Sequence, residues 1–218
     1  MITLKNVTKY YNVKTHKKYI LDNVSLTIPG KTNIGVLGHN GAGKSTFLKM
    51  LGGIDFPNSG TIISTSTFSW PLCLTGGFQG SLTGRENSKF VCRIFSSSQE
   101  QIKKKLKFIQ LFSELGDYFE MPIKTYSSGM RARLGFAISL AFDFEYYLID
   151  ETLSVGDKNF KKKSREALLE RMQTSNILLV SHDLKVTRKM CTSGIVLDKG
   201  KIHYFNEINE AIAFYNSI

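Results

Sequence analysis

The stretch GHNGAGKST, Gly38 to Thr46, restricts the fold of this chain more than any other. It places three glycines within six residues, directly ahead of Lys-Ser-Thr. Gly38 to Ser45 match G-x-x-x-x-G-K-[ST] without a gap. Ahead lies TNIGVLG (32–38), a short apolar run of the kind that forms a buried strand. Behind lies KSTFLKMLGG, with Phe47, Leu48 and Leu51 at helical spacing and a stop at Gly52-Gly53. Glycines let successive N–H groups converge on one point without Cβ clashes, and the following helix adds its free amides and positive end. The backbone from Gly38 through His39, Asn40, Gly41, Ala42 and Gly43 to Thr46 is therefore expected to wrap a nucleotide's phosphates. Lys44 would reach the β- and γ-phosphates, and the Ser45 hydroxyl would ligate Mg2+. His39 sits at a variable position of the motif, where exposure is expected rather than catalysis.

A loop of this type needs a carboxylate for the metal, at the end of a neighbouring apolar strand. YYLIDE (146–151) supplies it: Asp150 fits a water-mediated Mg2+ ligand, and Glu151 is placed to polarise an attacking water.

Around these motifs, ITLKNVTKYY and YILDNVSLTI alternate apolar and polar residues as half-buried antiparallel strands do, and Pro29-Gly30 marks a turn. The middle of the chain reads as helical. GRENSKFVCRIF fits one helix, and SSSQEQIKKKLKFIQLFSELGDYF fits a second, opened by a capping box from Ser98 to Gln101 and carrying Ile102, Leu106, Ile109 and Leu111 on its apolar side. A further helix begins near Ser128 and runs through MRARLGFAISLAF. Strands and helices then alternate: YYLID, KKKSREALLERM, NILLVSH, LKVTRKMC, a hairpin around Asp198-Lys199-Gly200, and a closing helix in EINEAIAFYNSI. Continuous apolar strands between helices predict a mostly parallel α/β sheet.

Composition excludes several classes. Hydrophobic residues make up 42%, too many for wholesale disorder, and no apolar run approaches the ~18 residues a membrane span needs. MITLKNVTKY lacks the charged-then-apolar layout of a secretory signal, so a cytosolic location is expected. Cys73, Cys92 and Cys191 are scattered without a CxxC pair, which suits reduced thiols rather than a zinc site or disulfides. The net charge of +11 raises nucleic acid or an anionic membrane surface as partners. Basic residues gather in KTHKK (14–18), which suits a loop, and in KKKLK (103–107) and KNFKKKSR (158–165), where a solvated helix face explains them equally well. His16 and His203 read as ordinary surface or core residues, and Trp70, Phe68 and Phe78 as core rather than as a partner-facing cluster.

YSSGMRARL (126–134) resembles a variant of the signature motif of ATP-binding cassette (ABC) ATPases, usually written LSGGQ. It lies ahead of the acidic strand in the order that family uses. LLVSHD resembles the family's switch strand ending in a histidine, His182, and LSVGD (153–157) resembles its D-loop. Together these motifs span Tyr11 to His182. SWPLCLTGGFQGSLTGREN and MPIKTYSSGMRARLGF are similar to the ATPase subunits of capsular polysaccharide exporters of Gram-negative bacteria. The signature carries Tyr126, Ser128 and Met130 where Leu, Gly and Gln are usual, and Thr152 stands where a proline is common.

The resemblance implies an α/β P-loop NTPase (RecA-like) core with an N-terminal antiparallel β subdomain and an inserted helical subdomain. It implies one nucleotide-binding domain over 1–218, with the β subdomain and P-loop in 1–75, the helical subdomain in 85–140 and the rest of the core in 141–218. It implies a head-to-tail homodimer that buries ATP between the P-loop of one copy and Ser127, Ser128 and Gly129 of the other. In that arrangement Glu151 would orient water, His182 would contact the γ-phosphate, and Asp157 would communicate across the dimer. Tyr11 or Tyr10 would stack on adenine. Gln79 is either the metal-contacting glutamine or part of a loop facing the membrane partner. The implied partners are integral membrane permease subunits, with the chain peripheral to the inner membrane and a polysaccharide reached through the permease. Alternatives are a cassette exporting O-antigen or teichoic acid, a soluble ABC ATPase acting on nucleic acid or ribosomes, and a degenerate cassette that binds ATP as a scaffold. Single-cassette length argues against the nucleic-acid alternative, and intact Lys44, Asp150, Glu151 and His182 argue against the last.

Overall fold

The computed structural model describes residues 1–14, 16–72, 77–95, 98–150 and 157–218. The chain divides into two compact units, one made of Met1–Pro71, Phe144–Glu151 and Met172–Ile218, the other of Leu72–Asp143 and Thr152–Arg171.

The first unit holds two sheets. Strands β1 (Ile2–Val13) and β2 (His16–Ile28) are antiparallel, and β4 (Ser59–Ser64) joins the free side of β1 to give the order β2-β1-β4. Alternation along β1 sends Ile2 and Leu4 inward, and after an irregularity at Asn6 (φ 49°) it resumes with Val7 and Lys9 buried. His16, Lys17 and Lys18, expected on a loop, are the first residues of β2. The second sheet has the order β5-β6-β3-β7-β8, built from β3 (Ile34–Leu37), β5 (Tyr146–Asp150), β6 (Asn176–Val180), β7 (Ser193–Asp198) and β8 (Lys201–Phe205). Its first four strands are parallel, and β8 returns antiparallel to β7 through the expected hairpin, with Asp198 opposite Lys201. Helices α1 (Lys44–Leu51), α6 (Leu184–Met190) and α7 (Ile208–Tyr215) belong to the same unit. One apolar core, including Ile2, Ile28, Ile34, Phe47, Leu48, Leu148, Leu178 and Ile195, serves both sheets and α1. Phe68 stacks on Tyr146 and Trp70 meets Phe144 edge-on, so both rings serve packing as expected.

The second unit is helical: α2 (Gly84–Phe95), α3 (Gln99–Ser113), α4 (Ser128–Leu140) and α5 (Lys158–Arg171). Phe112, Phe136 and Phe160, from α3, α4 and α5, pack ring against ring at its centre. The capping box at Ser98 and Gln101 is present. Two expectations for α3 need correction. The helix stops at Ser113, because Glu114 takes a left-handed conformation (φ 53°) and Gly116 another (φ 55°), and residues Gly116–Glu120 form a 3-10 turn. Leu111 is 66% exposed, and Phe112 takes the buried place instead.

Tyr126, the residue standing where the signature has leucine, is 2% exposed, and its hydroxyl donates to the Tyr118 carbonyl at 2.5 Å. That hydroxyl occupies space that only a glycine leaves at the start of α2, since a Cβ on Gly84 would lie 2.4 Å from it. Tyr126→Phe should keep the packing and strand the Tyr118 carbonyl without this donor, at a cost of about 1 kcal/mol. Calorimetry should register this as a drop in Tm of about 2–4 °C for a chain of this size; an unchanged Tm would mean that water replaces the donor at no cost.

Among the described residues, no helix is long and apolar enough to cross a membrane. Cys92 and Cys191 are buried free thiols, and burial pushes the Cys191 thiol up to about 12, which makes it inert. Cys73 lies outside the described residues.

Candidate nucleotide site

The glycine loop leaves the C-terminal end of β3, the strand between β6 and β7, and enters α1 at Lys44. Its glycines take conformations other residues avoid: φ is 148° at Gly38, 81° at Gly41 and 100° at Gly43. Gly38 also has no room for a side chain, because a Cβ there would meet the Leu197 carbonyl at 2.7 Å. Ala42 N–H donates to the His39 carbonyl at 3.0 Å, closing the turn. No side chain caps α1 at Gly43 and its first turn holds no acid, so its amides and positive end are left for an anion. The Lys44 ammonium curls back over the loop, donating to the Gly38 carbonyl at 2.6 Å and the His39 carbonyl at 3.1 Å.

This loop forms one wall of a cleft of about 380 Å³, entirely within the first unit. Asn40, Gly41, Gly43, Lys44, Ser45 and Thr46 line that wall. Asp150 from the end of β5, and Val180 and His182 from the end of β6 and just beyond it, line another. Parallel pairing of Asp150 with Val180 brings the acid and the switch histidine to the same edge of the sheet as the loop. The ligands expected from sequence, Lys44, Ser45, Asp150 and His182, therefore meet around one space. An anionic phosphate chain fits the positive-φ amides and the lysine. A hard divalent cation fits the oxygen donors Ser45 and Asp150.

The third wall comes from the antiparallel sheet. Tyr11, Lys18 and Ile20 line it, whereas the Tyr10 ring lies against Tyr19 at 5.6 Å with the Lys17 ammonium 4.2 Å from its centroid. Tyr11 and Lys18 face each other in register across β1 and β2. Sequence reading missed Lys18 and Ile20. A basic run at a strand start gave no sign that one member lines the cleft, and the two-residue spacing of Lys18 and Ile20 was the one available clue. The Tyr11 hydroxyl donates to Asp55 Oδ2 at 2.7 Å. Burial works to raise the Asp55 carboxyl, but hydrogen bonds from Lys9, Tyr11 and Phe56 N–H outweigh it and hold the group below its ordinary value. His39 is exposed as expected, its ring 5.5 Å from that of Tyr215.

Gln79, Ser127, Ser128, Gly129 and Asp157 all belong to the second unit. Gln79 is exposed, and its side-chain amide donates to Ser81 Oγ at 3.3 Å. Its loop is clamped by Asn87, a buried residue whose amide donates to the carbonyls of Gln79, Leu82 and Thr83 and whose oxygen accepts from Gln79 N–H. Ser127 is the N-cap of α4, its Oγ accepting from Met130 N–H at 3.2 Å. Ser127 and Ser128 are exposed, and a Cβ on Gly129 would meet nothing closer than 3.9 Å, so space lies open at this helix tip. Asp157 caps α5, with Oδ1 accepting from Asn159 N–H and Phe160 N–H, and its other oxygen takes Arg133 of α4 at 2.5 Å. The bond from Phe160 N–H, with the Arg133 charge in support, holds the Asp157 carboxyl below its ordinary value. Glu151, Thr152 and the first residues of LSVGD lie outside the described residues.

A family model described as ABC transporter matches residues 21–154. A polysialic acid transport ATP-binding protein, KpsT, of Escherichia coli is 49% identical over 99% of this chain and 96% of its own length. The capsule polysaccharide export ATP-binding protein CtrD of Neisseria meningitidis serogroup B is 42% identical, with both chains covered completely. Among solved structures, a dimeric ATP-binding cassette in a post-hydrolysis state bound to ADP and Pi superposes with a TM-score of 0.75. It is 24% identical and covers 95% of this chain and 99% of its own, a likeness of fold.

Proposed function

The chain belongs to the ABC transporter family, and on that footing we propose that it is the ATP-hydrolysing subunit of an exporter of capsular polysaccharide or a related cell-surface glycan. It works with a separate transmembrane permease and lies against the cytoplasmic face of the inner membrane. The observation that carries this reading is 42–49% identity, over nearly the whole chain, with proteins named for polysialic acid transport and capsule polysaccharide export. The cleft supports its enzymatic half.

In this reading Tyr11 takes the adenine base, and the amides from Gly38 to Thr46 take the phosphates. Lys44 exchanges its loop carbonyls for the β- and γ-phosphates. Ser45 and Asp150 would hold Mg2+, which when bound would neutralise charge on the transferred phosphoryl group, and Gln79 stays a candidate for the same role. Glu151 accepts a proton from the attacking water, and His182 holds the γ-phosphate side of the cleft. Ser127, Ser128 and Gly129 of a second copy close over the γ-phosphate with the positive end of α4. Asp157, tied to Arg133, relays closure between copies. ATP thus favours the closed dimer by its contacts with both halves, and hydrolysis removes that preference. The basic surface suits an anionic leaflet or an acidic glycan.

Glu151→Gln should lower ATP turnover by about 10²- to 10⁴-fold, the usual contribution of a general base. It should also trap an ATP-bound dimer, seen by light scattering behind size exclusion. Turnover at the wild-type rate would remove Glu151 as the base. For the exporter itself, the chain with its permease in proteoliposomes should move an acidic polysaccharide only when ATP is present. ATPase activity that rises with added DNA or RNA, and falls steeply with salt, would replace this reading by the nucleic-acid one.

A further inference from the structure

Lys9 is 6% exposed, an uncommon place for a lysine, and no catalytic step uses it. Its ammonium donates to Asp55 Oδ1 at 2.5 Å and to the Phe56 carbonyl at 2.8 Å. The second Asp55 oxygen accepts from the Tyr11 hydroxyl, and the same ammonium stands 4.9 Å from the centroid of the Tyr11 ring. Residues 9 and 11 share a face of β1, so one lysine addresses both the ring and the acid that holds the ring.

We propose that the Lys9–Asp55 pair is a positioning device for Tyr11, presetting its ring to receive a purine base and so setting affinity for the base of the nucleotide rather than for its phosphates. The proposal rests on the reading of Tyr11 as the base-stacking residue and adds the residues that orient it.

Tyr11 is 43% exposed, so packing alone does not hold its ring. An exposed ring must be ordered when a base stacks on it, and that cost falls on the affinity. The hydroxyl handle removes the cost in advance, provided its acceptor is itself immobile. Asp55 meets that condition. Lys9 and Phe56 N–H fix its first oxygen, and its own N–H bonds to the Lys49 carbonyl at the end of α1. The ring is thereby referenced to the helix whose other end carries Lys44 and Ser45. Tyr10 N–H on Asn58 Oδ1 and Asn58 N–H on the Thr8 carbonyl strap β1 to the same loop. A buried ion pair is a poor source of stability compared with apolar packing, because desolvation offsets the attraction. Orientation of a ring is something apolar packing at this exposed position does not provide.

Binding of ATP and of inorganic tripolyphosphate, which has no base, separates the two roles. Calorimetric titration with Mg2+ is carried out on the full chain and on Tyr11→Ala, Tyr11→Phe, Asp55→Ala and Lys9→Met. Tyr11→Phe keeps the ring and loses the handle, and like Asp55→Ala and Lys9→Met it should weaken ATP binding by about five- to tenfold, the net scale of one hydrogen bond. Tripolyphosphate affinity should stay within about twofold, and Tyr11→Phe combined with Asp55→Ala should be no worse than either alone, as expected for one shared contact. Tyr11→Phe leaves the Lys9–Asp55 ion pair in place and keeps the test available if Asp55→Ala fails to fold. Equal weakening of both ligands would assign Asp55 a general structural role and overturn the proposal. Normal ATP affinity in Tyr11→Phe and Asp55→Ala, with loss in Tyr11→Ala, would also overturn it while leaving Tyr11 as the base platform. Normal affinity in Tyr11→Ala would remove both.

Discussion

Lys44→Ala is expected to lower ATP turnover by about 10²- to 10³-fold, the usual cost of deleting one preorganised electrostatic contact in an active site. The ammonium already has a defined place, on the carbonyls of Gly38 and His39 at the mouth of the loop. These carbonyls are weak substitutes for a phosphate chain, and exchanging them for anionic oxygens gains charge-assisted bonds. Alanine leaves the phosphates without this cation. Lys44→Arg should fail nearly as badly, because a planar fork does not fit a point-charge position among loop carbonyls. Folding should be little affected by either change, since Lys44 is half-exposed and lies outside the apolar core. Steady-state phosphate release, nucleotide titration and a melting curve on the same samples decide the matter. Wild-type turnover in Lys44→Ala would withdraw the lysine from the phosphates, and a collapsed melting curve would turn the effect into one of folding.

Much of this site was legible because its determinants are local. The glycine loop, the acid ending an apolar strand and the histidine ending another each carry their meaning within a few residues, and parallel pairing of β5, β6 and β3 then brings them together. Other features failed for physical reasons. Strand β4, SGTIIS, escaped notice because its two adjacent isoleucines obscure a period of two; Ile62 packs against the core while Ile63 faces out, and pairing to β1 sets the register. Leu111 and Phe112 are both apolar neighbours at the end of α3, and only the position of the α4 and α5 rings decides which one is buried. The rivalry between Tyr10 and Tyr11 was open because β1 carries register irregularities between Leu4 and Tyr10, which sequence periodicity does not locate. Asp55 and Lys9 are 46 residues apart, and Gly84 and Tyr126 are 42 apart (126 minus 84); neither pair has a local signature. The substitution of tyrosine into the signature became intelligible only when its hydroxyl was found over Gly84.

Gly43→Ala should cost more than the loss of a flexible residue, because two independent obstacles meet there. The residue caps α1 with φ 100° and ψ 16°, outside the region that L side chains normally occupy. Holding a non-glycine residue in such a conformation costs about 1–3 kcal/mol. A Cβ would also lie 2.2 Å from Ile20 Cγ2 and 3.3 Å from Ile20 Cβ, on a strand whose buried side faces the core. The loop must therefore shift, and its amides leave the point on which they converge. ATP affinity is expected to fall by about 10²-fold or more, the sum of a strain of that size and the clash, at tenfold per 1.4 kcal/mol. Adding Ile20→Ala separates the causes. It removes the nearest atom and leaves φ untouched, so the double variant should bind ATP better than Gly43→Ala and worse than Ile20→Ala alone. Stability must be followed in parallel, because Ile20→Ala opens a core cavity worth about 2–5 kcal/mol. No recovery in a folded double variant would assign the whole effect to backbone conformation. Full recovery would assign it to room, and an unperturbed Gly43→Ala would mean that the amides after Gly38 do not need this geometry to bind phosphate.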